Sequence, residues 1–250
     1  MIRWLVLVLA LGVAPVARAD ELVVFSAAAV KAALADVPQR FAAETGTQLR
    51  LVFGTAGATH DRAASGGAFD LVILPTAPLA DLVRRGVVAD ASRHDLGTVR
   101  LGAAVRAGSP QPRIGTEAEF TQALLAAPSI GVADPATGAT TGVFLASLLK
   151  RLGLAETLRP KLHRYADGLT AMEAEARGEV ALGLGQISEI LPVAGVTLVG
   201  PLPESVQLRS VYAAGLSAHA QPQAAALMRL LTGHDMVDVF RRNGFDMASD

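Results

Sequence analysis

The chain has 250 residues, of which 51% are hydrophobic but only 4% aromatic, and its formal net charge is −1. It has no cysteine, which excludes disulfides, thiolate metal sites, a cysteine nucleophile and a lipid anchor on an N-terminal cysteine. No basic block interrupts the near-neutral balance, so nucleic acid is not an expected partner.

Residues 1–19 read as a secretion signal. Arg3 gives a positive start, residues 4–13 are apolar, and Ala17-Arg18-Ala19 fits a small-x-small cleavage site. The apolar stretch is shorter than the roughly 20 residues that cross a bilayer. Cleavage removes Arg3 and Arg18, leaving a mature chain near Asp20 with a net charge of −3. The expected compartment is the periplasm.

Short apolar runs at residues 22–25, 49–53 and 71–74 read as strands buried on both faces. Between the first two, Val30, Ala33, Leu34, Val37 and Phe41 repeat at helical spacing over residues 30–44. Pro38 is expected to kink that helix, and Gly46 to cap it. A second strand–helix set follows. Strands are expected at residues 129–133, 180–184 and 196–199, and helices at 140–152, 169–177 and from 185. Residues 98–105 and 208–216 read as connecting strands, and residues 222–231 and 235–243 as helices packing back on the first half. This alternation predicts an α/β fold of largely parallel strands. Two connecting strands imply two lobes and a cleft.

The strand over residues 22–25 runs into Ser26-Ala27-Ala28-Ala29, and that over 49–53 into Gly54-Thr55-Ala56-Gly57-Ala58-Thr59. Small side chains where a strand becomes a helix leave the helix N-terminus bare, with unpaired N–H groups and a positive dipole end that suit an anion. Such loops lie at the carboxyl ends of strands, where ligands bind in open α/β sheets. The second loop is no P-loop, because no Gly-Lys-Ser/Thr follows. Thr137-Gly138-Ala139-Thr140-Thr141-Gly142 opens a third helix, where a threonine also serves as an ordinary cap. Asp134 is expected to fix that loop rather than touch an anion. Lys31, His60 and Arg62 are the cations nearest the early loops, with a surface role as the default. The five histidines show no metal-type pairing, and Ser188 lacks a nucleophile-elbow context. Arg209 and Tyr212, on the second connecting strand, face the cleft or support the hinge.

In order and spacing, VVFSAAAVKAAL, FAAETGTQLRLVFGTAG, AFDLVILPT, GVADPATGATTGVF, LLKRLGLAETLRPKL and FRRNGFDM resemble the periplasmic molybdate-binding proteins of ABC importers. The resemblance covers nearly all of the mature chain. It implies a type II periplasmic-binding-protein fold (a Venus flytrap), with two mixed sheets flanked by helices and two crossover strands. One lobe would comprise residues 20–101 and 210–250, the other 102–209. It also implies an anion held by hydroxyls and backbone N–H groups, an ABC permease in the inner membrane, a monomer, and no cofactor.

The family's loop positions fall on Ala29, Ala56, Thr141, Gly168 and Gln186. The serines of the first two loops are thus alanines, and the tyrosine that often closes the site is Gln186. Ser26, Thr55, Thr140 and Thr141 are the nearby hydroxyls able to substitute, while Ala28 and Gly57 complete the expected ligand-binding set. A hydrogen bond to a charged group contributes roughly 1.5–3 kcal/mol, so three lost hydroxyls weaken an oxyanion site by orders of magnitude unless replaced. The expected ligand is therefore a molybdate-like oxyanion or, given those losses, another small anion such as a carboxylate. Two alternatives stand beside a transport receptor. One is a small-acid isomerase with His60 or Lys31 as base, and the other a receptor that signals to a membrane sensor.

Overall fold

The computed structural model describes residues 21–247. The expected signal segment and the expected mature start near Asp20 lie outside the described residues.

The first half runs β1 (Glu21–Ala27), a 3-10 turn (Ala28–Val30), α1 (Val37–Thr45), β2 (Gln48–Gly54), α2 (Ala56–Ala64), β3 (Leu71–Pro75) and α3 (Thr76–Arg84). A long strand, β4 (His94–Arg106), then leads to α4 (Glu117–Ala126), β5 (Ile130–Ala133), α5 (Thr140–Arg151), α6 (Ala155–Leu158) and β6 (Leu162–Tyr165). The second half continues through α7 (Gly168–Ala176), β7 (Leu182–Gln186), α8 (Ile187–Ile190) and β8 (Val196–Pro201). The chain returns along β9 (Arg209–Leu216) to α9 (Ala224–Leu231), α10 (His234–Arg242) and β10 (Phe245–Asp246).

The strands form one ladder in the order β2-β1-β3-β9-β4-β7-β5-β6, with β8 and β10 also paired to β4. Pairings among β1, β2 and β3 and among β5, β6 and β7 are parallel, while those made by β4 and β9 are antiparallel. The sheet is therefore mixed. The expected two sheets meet through β4, which pairs with β9 over residues 94–100 and with β7 over residues 101–104.

Each half has its own aliphatic core. One is built around Leu22, Phe41, Ile73 and Leu79 and includes Leu227 and Phe240 of the C-terminal helices. The other is built around Leu101, Phe120, Ile130 and Leu148. Low aromatic content is thus met by many buried Leu, Ile, Val and Ala side chains.

Two local expectations change. Pro38 does not kink a helix over residues 30–44. It sits in the first turn of α1, where its missing N–H costs nothing, and the stretch before it is a 3-10 turn followed by tight turns. Gly46 does cap α1, at φ 75°. The strand at 49–53 is not doubly buried, because β2 is an outer strand with β1 as its only neighbour among the described strands, and its residues are half-buried apart from the exposed Arg50.

Candidate ligand cleft

The carboxyl ends of β1, β2, β5 and β7 deliver their loops to the space between the two cores. There the N-termini of α2, α5 and α7 surround a small cavity. Its open space is about 20 Å³, enough for about one water. One wall comes from the first half: Ala27, Ala28, Ala29, Thr55 and Ala56. The opposite wall includes Thr140, Thr141, Asp167, Gly168, Gln186 and Glu189, with Tyr212 of β9 beside them. No lysine, arginine or histidine lines it.

The halves touch directly at the rim. Gly57 donates its backbone N–H to the Gly138 carbonyl at 3.0 Å, and the Thr55 hydroxyl donates to the Thr137 carbonyl at 2.5 Å. A Cβ on Gly57 would lie 2.8 Å from Gly138 Cα, so this approach is open only to glycine. Gly138 has φ 71°, which also favours glycine.

Of the expected ligand set, Ala28, Ala29, Thr55, Ala56, Thr140, Thr141, Gly168 and Gln186 line the cavity. Ser26 does not. It is fully buried, and its hydroxyl donates to the Ala27 carbonyl at 3.1 Å. Gly57 does not line it either, since its N–H serves the rim contact. Thr55 lines the cavity but its hydroxyl is engaged, accepting from Ala58 N–H at 3.1 Å while donating to Thr137. Thr141 is the contrasting case: its Oγ1 is buried and has no hydrogen-bond partner.

His60 and Lys31, the isomerase reading's bases, lie outside this cavity. His60 is held between Asp61 at 3.0 Å and Asp81 at 2.9 Å. Burial lowers its affinity for a proton, but the two carboxylates outweigh burial and raise it above the ordinary histidine value. Arg62 lies 5.6 Å from the Phe25 ring centroid, and Arg209 pairs with Glu204 at 2.7 Å on the surface.

Two further cleft residues carry no ligand signal in the sequence. Tyr212 reaches the site from β9. Gln186 Nε2 donates to Tyr212 Oη at 2.8 Å, and Tyr212 Oη donates back to Gln186 Oε1 at 3.0 Å. The pair places a phenol in the cavity wall, held by Gln186. Burial and then the charge of Glu189 push this phenol's pKa upward, so it stays protonated.

Glu189 is the second. It is only 6% exposed and lies against the N-terminus of α7. A Cβ on Gly168 would meet Glu189 Cδ at 2.6 Å, so the glycine makes room for the carboxyl. Burial, then the charge of Asp167, push its pKa up to about 7, against the pull of the Gln186 and Gly168 N–H groups. The cavity thus offers helix-end N–H groups, a free threonine hydroxyl and one carboxyl that exchanges its proton near neutrality. Among the described residues, no cluster of three His, Cys, Asp or Glu side chains is placed to hold a metal.

A family model for bacterial extracellular solute-binding proteins matches residues 22–246. The chain belongs to that family. Two curated relatives are similar to this chain. An aconitate isomerase from a Pseudomonas species is 31% identical over 231 residues, covering 89% of this chain and 86% of that protein. The molybdate-binding protein ModA of Escherichia coli K12 is 27% identical over 248 residues, covering 95% and 94%. Among solved structures, the periplasmic molybdate-binding protein of Azotobacter vinelandii superposes with a TM-score of 0.76 at 19% identity, covering 91% of this chain and all of that one. The sulfate-binding protein SubI of Mycobacterium tuberculosis H37Rv gives 0.74 at 17%, covering 90% and 86%. At these identities the structural likeness speaks for the fold, a two-lobed type II periplasmic-binding-protein architecture.

Proposed function

We propose that this protein is a periplasmic receptor that closes its lobes on a small organic carboxylate and presents it to an ABC permease. We place the lobe boundaries near residues 101 and 210, in the long β4 and at the start of β9. The observation that carries the ligand class is the make-up of the cavity wall: no cation, alanines in place of the two loop serines, and a buried carboxyl, Glu189, in contact with the ligand space. A dehydrated tetrahedral dianion needs donors from several directions, and the alanine wall has no free side-chain hydroxyl to give it. A carboxylate is accommodated, because a protonated Glu189 donates a hydrogen bond to it, and charge-assisted bonds of this kind are the strong ones. The helix ends of α2, α5 and α7 add attraction of about 0.3–1 kcal/mol each, up to about 2 kcal/mol when partly buried.

A thermal-shift screen tests this reading. The protein is heated with molybdate, tungstate, sulfate, and mono-, di- and tricarboxylates, since a ligand raises the melting temperature by mass action. Stabilisation by a carboxylate and none by molybdate or tungstate is expected. Stabilisation by molybdate or tungstate alone would overturn the ligand assignment.

Glu189 and the aconitate isomerase relative together favour a second reading, proton-shift catalysis in the same cleft. A group with a pKa near the working pH is suited to take a proton from a carbon next to a carboxylate-bearing double bond. Returning it to the far carbon of the same three-carbon unit moves the double bond, with no oxidant or co-reactant. Proton NMR of trans-aconitate in deuterium oxide reads this directly. Deuterium incorporation or isomer formation that disappears in Glu189→Gln supports catalysis, and an unchanged spectrum leaves the receptor reading alone standing.

A further inference from the structure

A second, larger chamber lies beside the cavity. It has a volume of about 460 Å³, and its walls come from both halves of the molecule. Ala28 and Glu189 line both spaces, so the two adjoin. On the first-half side stands Lys31, just after the 3-10 turn. Its ammonium has no carboxylate within 4.0 Å among the described residues and lies 6.0 Å from the Phe53 ring centroid. On the second-half side stands Ser188, only 2% exposed, whose Oγ has no hydrogen-bond partner. A buried hydroxyl left without a partner is costly, and native structures rarely leave one without a reason. The other charged groups on the chamber are Glu173, exposed on α7, and Glu189.

We propose that this chamber is a second anion subsite, where Lys31 and Ser188 hold the distal carboxylate of a di- or tricarboxylate whose first carboxylate occupies the inner cavity. The proposal rests on the carboxylate reading above and extends it from one carboxylate to several. The inner cavity alone has room for little more than one small polar group, whereas the neighbouring chamber accommodates the remainder of a six-carbon acid. The charges divide accordingly. The inner end is read by neutral donors and a titrating carboxyl, and the outer end by an ammonium and a hydroxyl. Lys31 offsets Glu173 across the chamber, so an incoming carboxylate meets one cation rather than an acidic wall. Because the walls come from opposite lobes, a ligand spanning both spaces also favours the closed state over the open one.

Ligand-observed NMR at pH 6.5 provides the test, with crotonate, fumarate and trans-aconitate as mono-, di- and tricarboxylate probes. The wild-type protein should bind more tightly as carboxylates are added. Lys31→Gln should weaken trans-aconitate about tenfold and leave crotonate within about twofold, the loss expected for one charge-assisted contact. Ser188→Ala should weaken trans-aconitate about threefold, as for one neutral donor. Lys31 is exposed, so its replacement leaves the fold intact. Equal weakening of all three probes by Lys31→Gln, or no weakening, overturns the second subsite while the carboxylate reading stands. Failure of the wild-type protein to bind any of the three overturns both.

Discussion

The two walls of the cleft are built from the same device and finished differently. Both present helix N-termini at the carboxyl ends of parallel strands. The first-half wall is smooth, with Ala28, Ala29 and Ala56 at its surface and the one hydroxyl, on Thr55, tied into the rim contact. The second-half wall is polar, with Thr141, the Gln186–Tyr212 pair and Glu189. The fold thus supplies backbone donors on both sides, and the discriminating chemistry is concentrated on one. An oxyanion receptor that draws hydroxyls from both lobes grips a tetrahedral ligand from opposite directions. Here only one lobe carries the side-chain donors, which suits a ligand with a polar end and a flat carbon face.

The sharpest way to break the polar wall is Gly168→Ala. Its Cβ would meet the Glu189 carboxyl at 2.6 Å, displacing the titrating group. Carboxylate affinity should fall about tenfold to a hundredfold by calorimetry, since overpacking costs ~1–3 kcal/mol. The contact between the walls comes next. Gly57→Ala forces the α2 end away from Gly138, where a Cβ finds only 2.8 Å. Affinity should drop about tenfold, and the free protein should melt no lower, because alanine favours the helix by about 1 kcal/mol over glycine. A smaller effect sharpens the contrast from the other side. Ala29→Ser returns a hydroxyl to the smooth wall and should raise molybdate affinity a few-fold, as one hydrogen bond of ~1 kcal/mol would.

The smallest expected effect separates binding from stability. Glu175, also on α7 but pointing away from the ligand, is fully buried against Gly183. Burial pushes its pKa from the ordinary 4.5 up to about 8, against the pull of the Gly183 N–H. The folded state therefore holds a proton that the unfolded state releases. Stability from this group is fully present below pH 4.5 and is lost as pH rises toward about 8. Glu175→Gln should raise the melting temperature by a few degrees at pH 8.5, change little at pH 4.5, and leave carboxylate affinity unaltered.

Much of this was legible in the sequence. The strand–turn–helix alternation, the tiny residues after β1 and β2, and the glycine caps are local signals, and they fixed the loops facing the cleft. Pro38 misled because proline reads equally well as a kink and as a helix start, and only the tight turns before it decide. Ser26 and Thr55 look like free donors in the sequence. Their hydroxyls are consumed by partners at the Ala27 and Thr137 carbonyls, the latter distant in sequence. Tyr212 and Glu189 carried no motif at all. Each gains its place from non-local packing, Tyr212 through the antiparallel β9 and Glu189 through the space left by a glycine 21 residues earlier. A glycine at a helix start was visible. What it made room for was not.

Calorimetry with trans-aconitate between pH 6 and 8.5, in buffers of differing ionisation enthalpy, reads out whether a carboxylate binds beside a titrating Glu189. An anion placed beside Glu189 raises its pKa further, so binding takes up a proton, and affinity falls as pH rises through about 7. The Tyr212 phenol, whose pKa burial pushes upward, faces the same carboxyl and keeps its proton across this range. Proton uptake near pH 7.5 that vanishes in Glu189→Gln is the predicted result. Tight, pH-independent binding of molybdate with no response to carboxylates would contradict the account.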